Sequence, residues 1–174
     1  MIKTASLLQN NDLSLKYYYF TLMILTALHI LCYDVWFYFS HIALHHPKLY
    51  FIHKIHHKSH YSTLTYKDTN VAHWAENLVQ PLGFFLPMVY QVSPLEMGLA
   101  WTFVCVRGLM RHDHRWVWLI GDHHLMHHKH QNSNYGEWWI DWLFNTRGNR
   151  GSSESASLIP APITPSRPST IFIL

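Results

Sequence analysis

The sequence predicts an all-α fold, an integral membrane helical bundle that carries a histidine-rich helical cap on its cytosolic side. Three observations predict it. The 174 residues are 49% hydrophobic and 16% aromatic but only 13% charged, against roughly 25% charged in typical soluble domains. One stretch is long and apolar enough to cross a bilayer. Finally, 16 histidines outnumber the 10 acidic residues, which points to metal chemistry beside or inside a membrane. The composition excludes disorder over most of the chain, and a net charge of only +3 argues for no nucleic-acid partner. Two cysteines, Cys32 and Cys105, cannot build a disulfide framework or a four-thiolate metal site.

Residues 1–16 form an extramembrane segment. From Tyr17 to Tyr33 the chain reads YYYFTLMILTALHILCY, with no charge before Asp34. The 24 positions between Lys16 and His41 suffice for the about 20 helical residues that a bilayer core requires. A signal peptide fits less well, given the late start, the sparse n-region (Lys3) and no small-residue cleavage site before WFYF. A second apolar region, 71–110, contains only Glu76, Glu96 and Arg107 as charges. Pro81, Pro87 and Pro94 divide it, with QVSP (91–94) as the turn. It reads as a helical hairpin that dips into the bilayer, or as two short tilted spans. The membrane domain is thus expected over 17–146. Beyond it, 147–174 is rich in Ser, Pro and Gly and lacks any period, so a disordered tail is expected there.

Orientation follows from the loops. Lys48, Lys54, Lys58 and Lys67 against Asp68 give 41–70 a local charge of +3, whereas the first 16 residues carry +1. The positive-inside rule then places the histidine face in the cytosol.

Fifteen of the histidines fall between 41 and 130, at regular spacings. His41 and His45 are four apart, on one face of a helix. His53, His56 and His57 read H-x-x-H-H, the i, i+3, i+4 pattern. It returns as His124, His127 and His128, preceded by His123. His73 and His112 or His114 stand alone near these clusters. Ligands from several helices could surround a pair of metal ions, and imidazole suits iron, zinc or copper rather than magnesium or calcium. His29, inside the apolar run, reads as a core or interface residue. His46, His60 and His130 read as surface residues or as neighbours of the ligands. Asp34, Glu76 and Asp122 are placed to orient ligand imidazoles through their second nitrogen, with helix-end charges as the alternative. Nucleophile motifs such as G-x-S-x-G and the zinc motif H-E-x-x-H are absent.

The order Asp34–His41–His45, H-K-I-H-H (53–57), A-H-W-A-E (72–76), H-x-x-H-H (124–128), N-Y-G (134–136) and W-x-x-x-x-F (139–144) resembles the fatty acid hydroxylase / sterol desaturase superfamily of membrane non-haem diiron enzymes. The resemblance covers about 30–146. It departs in Trp74, where proline is usual, and in Phe144-Asn145-Thr146, where the family has F-G-T. It implies an enzyme that uses O2 and two electrons to hydroxylate or desaturate an unactivated C–H of a lipid such as a fatty acyl chain or sterol. The implied ligands are His41, His45, His53, His56, His57, His124, His127 and His128, with His112 (His114 competing) and His73. The implied cofactors are two iron ions, for which zinc can substitute, with no haem and no flavin in this chain. The implied partners are a membrane lipid, O2 and an external electron donor of the cytochrome b5 or ferredoxin type. Basic residues Lys54, Lys58, Arg111 and Arg115 are candidate docking points for an acidic carrier. The implied location is the endoplasmic reticulum in a eukaryote or the cytoplasmic membrane in a bacterium. A catalytically inactive membrane metal-binding paralogue of the same fold is the alternative, and a transmembrane haem carrier a third, weaker reading.

Overall fold

No glycine or proline occurs before Pro47, so nothing in the first 46 residues interrupts an α-helix. The computed structural model, which describes residues 2–90 and 93–148, accordingly begins with one helix, α1 (Ile2–His45). The helix expected over the apolar run therefore does not stop at the first histidines but carries His41 and His45 in its last turns. Residues Leu13–His45 are long and apolar enough to cross a membrane, with 22% of the most apolar window buried inside the protein. Tyr17, Phe20, Met23, Ile24, Leu31 and Phe39 are exposed on it, while Tyr33, Asp34, Phe37 and Tyr38 face inward.

After α1 the chain is short-stepped: α2 (Tyr50–His53), then 3₁₀ turns at His56–Lys58, Tyr61–Thr63 and Tyr66–Asn70, then α3 (Trp74–Val79). The second apolar region differs from a regular hairpin. Its first arm, Gln80–Tyr90, is a 3₁₀ helix with Pro87 inside it, because prolines remove the donors that an α-helix requires. Its second arm is α4 (Pro94–Arg111), opened by proline in its first turn. Both arms pack on α1. Gln91, Val92 and residues 149–174 lie outside the described residues, so most of the expected tail and half of the expected turn do too. The chain closes with α5 (Val117–Ile120), α6 (His123–His130) and α7 (Trp138–Leu143). Among the described residues there is no strand, as the all-helical expectation requires.

The core joins α1, the 3₁₀ arm and α4 through Tyr33, Phe37, Phe84, Ala100 and Val104. Polar pins fix the register. His29 Nδ1 donates to the Phe84 carbonyl at 2.8 Å, so His29 is the buried core residue the sequence suggests. Trp36 Nε1 donates to the Val79 carbonyl at 2.8 Å. Asp34 does not orient an imidazole; Arg107 of α4 takes it through both terminal nitrogens. A carboxylate seven residues ahead of His41 is on the right face, but the nearer guanidinium wins because an unpaired buried charge is far costlier than a paired one.

At Gly83 the 3₁₀ arm touches α1 so closely that an added Cβ would lie 2.1 Å from Trp36 Cβ and 2.9 Å from the Cys32 carbonyl oxygen. Gly83→Ala is expected to cost about 1–3 kcal/mol by overpacking and to lower the thermal midpoint of the detergent-solubilised protein. Gly98→Ala, with nothing within 4 Å of the new methyl, serves as the control and leaves that midpoint unchanged or raised.

Candidate metal centre

An H-x-x-H-H segment offers one i, i+4 pair on a shared face and one i+3 ring turned aside. The structure uses that division twice. His53 and His57 join His41, His45 and His127 in one group of five; His124 and His128 join His56 and His112 in a group of four. Within each group every ligand nitrogen lies within 4.8 Å of the others. The second box is not one helix, as its spacing suggests, but the end of α2 followed by a 3₁₀ turn. The third lies wholly on α6. The groups adjoin, with the rings of His57 and His128 centred 4.6 Å apart.

Nine of the ten expected ligands are thus brought together. His73 belongs to neither group; its Nδ1 accepts from the Ala75 amide at 3.2 Å, which caps α3. Of the alternatives His112 and His114, His112 lies in the group of four, whereas His114 donates to the Tyr61 carbonyl at 2.9 Å. His46, His60 and His130 are exposed. Glu76 Oε1 lies 2.8 Å from His53 Nδ1, with both side chains buried. Asp122 lies buried at the N-cap of α6.

The proton positions test whether a cation belongs here. Nδ1 of His56 donates to the Val71 carbonyl at 3.3 Å, and Nδ1 of His112 to the Gly108 carbonyl at 2.8 Å. A neutral imidazole with its proton on Nδ1 has only a lone pair on Nε2. Yet these two Nε2 atoms face each other at 3.1 Å, and His124 Nε2 stands 3.1 Å from that of His112. Lone pairs so placed repel unless a cation sits among them. The other group repeats the arrangement, with His41 Nδ1 donating to the Tyr135 carbonyl, His53 Nδ1 2.8 Å from Glu76 Oε1, and the two Nε2 atoms 2.9 Å apart. With metal–nitrogen bonds of about 2.1 Å, ligands at right angles lie about 3.0 Å apart and tetrahedral ones about 3.4 Å. The observed 2.9–3.2 Å contacts match right-angled neighbours, a geometry that leaves coordination positions open. The donor set therefore fits two borderline transition-metal ions.

Burial keeps the rings neutral and ready to bind. It lowers His53 and His56 to about 4. Burial and then neighbouring imidazoles also lower His57, His124 and His128 well below the ordinary imidazole value. Burial raises Glu76 to about 7.

Sequence reading missed what holds the last box in place. Asp141, fully buried in α7, accepts from the Tyr135 and Gly136 amides at 2.9 and 2.8 Å, from Thr146 Oγ1 at 2.6 Å and from His123 Nε2 at 2.9 Å. It thereby fixes the loop whose Tyr135 carbonyl accepts from His41 Nδ1. Left-handed backbone at Gln131 and Asn134 (φ 59° each) turns the chain out of α6 into that loop, and an added Cβ at Gly136 would strike Ile140 and Tyr38. The available signal was an acid inside the aromatic W-x-x-x-x-F segment.

A cavity of about 460 Å³ adjoins both groups. His41, His56 and His112 line it, together with Glu76 and the apolar Tyr33, Phe37, Trp101, Val104 and Leu109. Arg111 also borders it and is only 10% exposed, which removes it from the surface docking points; Arg115 is 69% exposed.

The sequence model of the family described as Fatty acid hydroxylase matches residues 26–146. The chain is 33% identical over 130 residues to methylsterol monooxygenase 1 of Danio rerio, an alignment covering 65% of this chain and 43% of that protein. It is 31% identical over 130 residues to methylsterol monooxygenase 1 of Rattus norvegicus, with the same shares. It is 30% identical over 150 residues to the Delta(7)-sterol 5(6)-desaturase of Schizosaccharomyces pombe, covering 80% of this chain and 46% of that protein. The chain therefore spans less than half the length of these relatives. No solved structure matches it.

Two outcomes are expected. His53 and His56 protonate near 4 in the folded protein and near 6.5 when unfolded. Between those values the unfolded chain binds more protons, so acidification through that window destabilises the metal-free fold, while above 6.5 these groups contribute no slope. Glu76, near 7 when folded and 4.5 when unfolded, gives the opposite slope, but two imidazoles outweigh one carboxyl, so thermal melts of chelator-treated protein should fall from about pH 6.5 towards 4. Asp141→Ala should loosen the Tyr135 support and weaken metal retention about 10–100-fold, read as metal per chain after a chelator challenge, with helical circular dichroism retained.

Proposed function

The chain belongs to the fatty acid hydroxylase family, and from that premise we propose that it is a membrane-bound oxidoreductase that uses O2 and two iron ions to hydroxylate or desaturate an unactivated C–H of a lipid. One observation carries the reading. Nine imidazoles gather in two adjoining groups, and three of them, His41, His56 and His112, line a cavity whose remaining walls are largely apolar, which suits the approach of a hydrocarbon substrate to the metal ligands.

Each part of the chain has a task in that reading. His41, His45, His53, His57 and His127 would hold one ion, and His56, His112, His124 and His128 the other. When bound, the iron pair supplies the electrons and oxygen activation that acid–base side chains cannot provide for an alkyl C–H. The backbone carbonyls of Tyr135, Val71, Gly108 and Ser133 and the Glu76 carboxylate fix the tautomers that present Nε2 to metal. Tyr33, Phe37, Trp101 and Val104 supply the apolar lining beside the histidines.

The membrane places this centre at a boundary. Leu13–His45 rises about 50 Å, beyond the about 30 Å of bilayer hydrocarbon. With the uncharged stretch 17–33 immersed, His41 and His45 stand at or beyond the lipid headgroups. The loop charges put that end in the cytosol, where a cytochrome b5 or ferredoxin-type donor would deliver electrons; exposed Lys54, Lys58 and Arg115 are suited to an acidic carrier. The methylsterol and sterol names of the relatives favour a sterol-like substrate.

The test is expression beside a metal-ligand variant. Lipid profiles of cells making the protein should show a lipid gaining one oxygen or losing two hydrogens, and His56→Ala or His127→Ala should abolish the change while membrane insertion persists. About two iron per purified chain is expected; a single structural zinc with no lipid turnover would instead identify an inactive metal-binding paralogue.

A further inference from the structure

Helix α7 has two unlike faces. Inward, Ile140 and Asp141 are buried, and Asp141 gathers the loop that supports His41. Outward, Trp138, Trp142, Leu143 and the following Phe144 are exposed, Trp142 and Leu143 by 63% and 60%. Asp141 is the only charged residue of the helix, and it is turned inward. The outer face is therefore a patch of large apolar side chains with no charge of its own, and such a patch marks a contact surface. Arg147, itself exposed, holds its guanidinium 4.9 Å from the centre of the Trp138 ring.

The place of α7 beside α1 identifies the occupant. The Phe144 ring lies 5.4 Å from that of Phe39 and 5.2 Å from that of Tyr38, and Phe39 is itself exposed on α1. At about 1.5 Å per residue, the about 30 Å of hydrocarbon entered at Tyr17 is crossed after about 20 residues, near Phe37. Phe39 stands about 3 Å farther on, within a headgroup layer roughly 5–7 Å deep. Phe144 and the outer face of α7 thus border α1 at the depth where lipid headgroups ring a membrane helix, and they continue its apolar surface. Tryptophan suits that layer because its ring is apolar and its N–H polar, and an exposed arginine beside it can face lipid phosphate. A water-soluble partner would have to displace lipid to reach the patch. Resting on the reading of α1 as a membrane span, we infer that the outer face of α7 is seated among the lipid headgroups of the leaflet at the histidine end of α1. A membrane contact and a support of the metal centre then lie back to back on one helix of six residues.

The experiment uses the full chain, purified and reconstituted in phosphatidylcholine vesicles. Cys32→Ala and Cys105→Ala remove the native thiols, and a nitrobenzoxadiazole fluorophore is placed on one new cysteine at a time. Leu143→Cys and Trp142→Cys report on α7. Met23→Cys, exposed midway along α1, is the immersed reference, and Lys48→Cys, exposed just past the end of α1, is the aqueous one. Each label is challenged with iodide from the water and with lipids that carry a nitroxide at the headgroup or deep in the acyl chain. Both α7 labels are expected to lose most emission to the headgroup nitroxide, as side chains of an interfacial helix do, and to be quenched by iodide several-fold less than Lys48→Cys. The second α7 position decides the matter if the first variant fails to insert. An α7 label that iodide reaches as readily as Lys48→Cys overturns the inference. So does one that the deep nitroxide quenches most, or one that no quencher reaches, since a second copy or another protein would then cover the patch. With Met23→Cys in lipid and the α7 labels in water, this inference fails alone; iodide quenching of Met23→Cys refutes the membrane-bound reading along with it.

Discussion

Nine imidazole rings, seven of them buried, converge in two groups, and the bare nitrogen lone pairs that face one another there call for positive charge between them. The remainder of the fold can be understood as the means of imposing that condition. Burial keeps the rings unprotonated, so protons do not supply the charge near neutrality. Carbonyls and one carboxylate take up the outward-facing nitrogens of His41, His53, His56, His112 and His127, so those five rings cannot turn away to satisfy themselves. The apolar helices supply the dry surroundings in which such opposed lone pairs would be least tolerable without metal.

Local chain geometry does most of the sorting. On α6, His124 and His128 share a face and go to one group, while His127, a fraction of a turn aside, goes to the other. His53 and His57 go together in the same way, although a change from α2 to a 3₁₀ turn intervenes. On α1 both rings serve one group because they are a full turn apart on an unbroken helix. The loop after α6 closes the arrangement, and Asp141 gathers its donors into one buried carboxylate.

Much of this was legible in the sequence, because histidine spacing on a helix is a direct statement about direction in space. The eight boxed histidines could be read from period and order, and so could the buried character of His29, whereas spacing left His112 and His114 open and only the family resemblance favoured His112. The division into five and four could not, since it depends on how α2, α6 and α4 are brought together by packing far along the chain. Asp34 was misassigned for a similar reason: its face on α1 was correct, but its partner Arg107 lies 73 residues away. His73 carries a family-like motif, yet local capping of α3 claims its ring. Asp141 was hidden among aromatic residues, where a single acid has no periodicity to reveal it.

The interleaving of the boxes has a thermodynamic consequence. Because α6 and the 53–57 segment each serve both groups, no element can be ordered for one ion without being ordered for its neighbour. Binding at the first centre thus removes part of the conformational entropy that the second would otherwise have to overcome, and the linkage runs equally in both directions. If both groups hold the ions proposed for them, uptake would be cooperative and the half-loaded protein the scarcest species along the way.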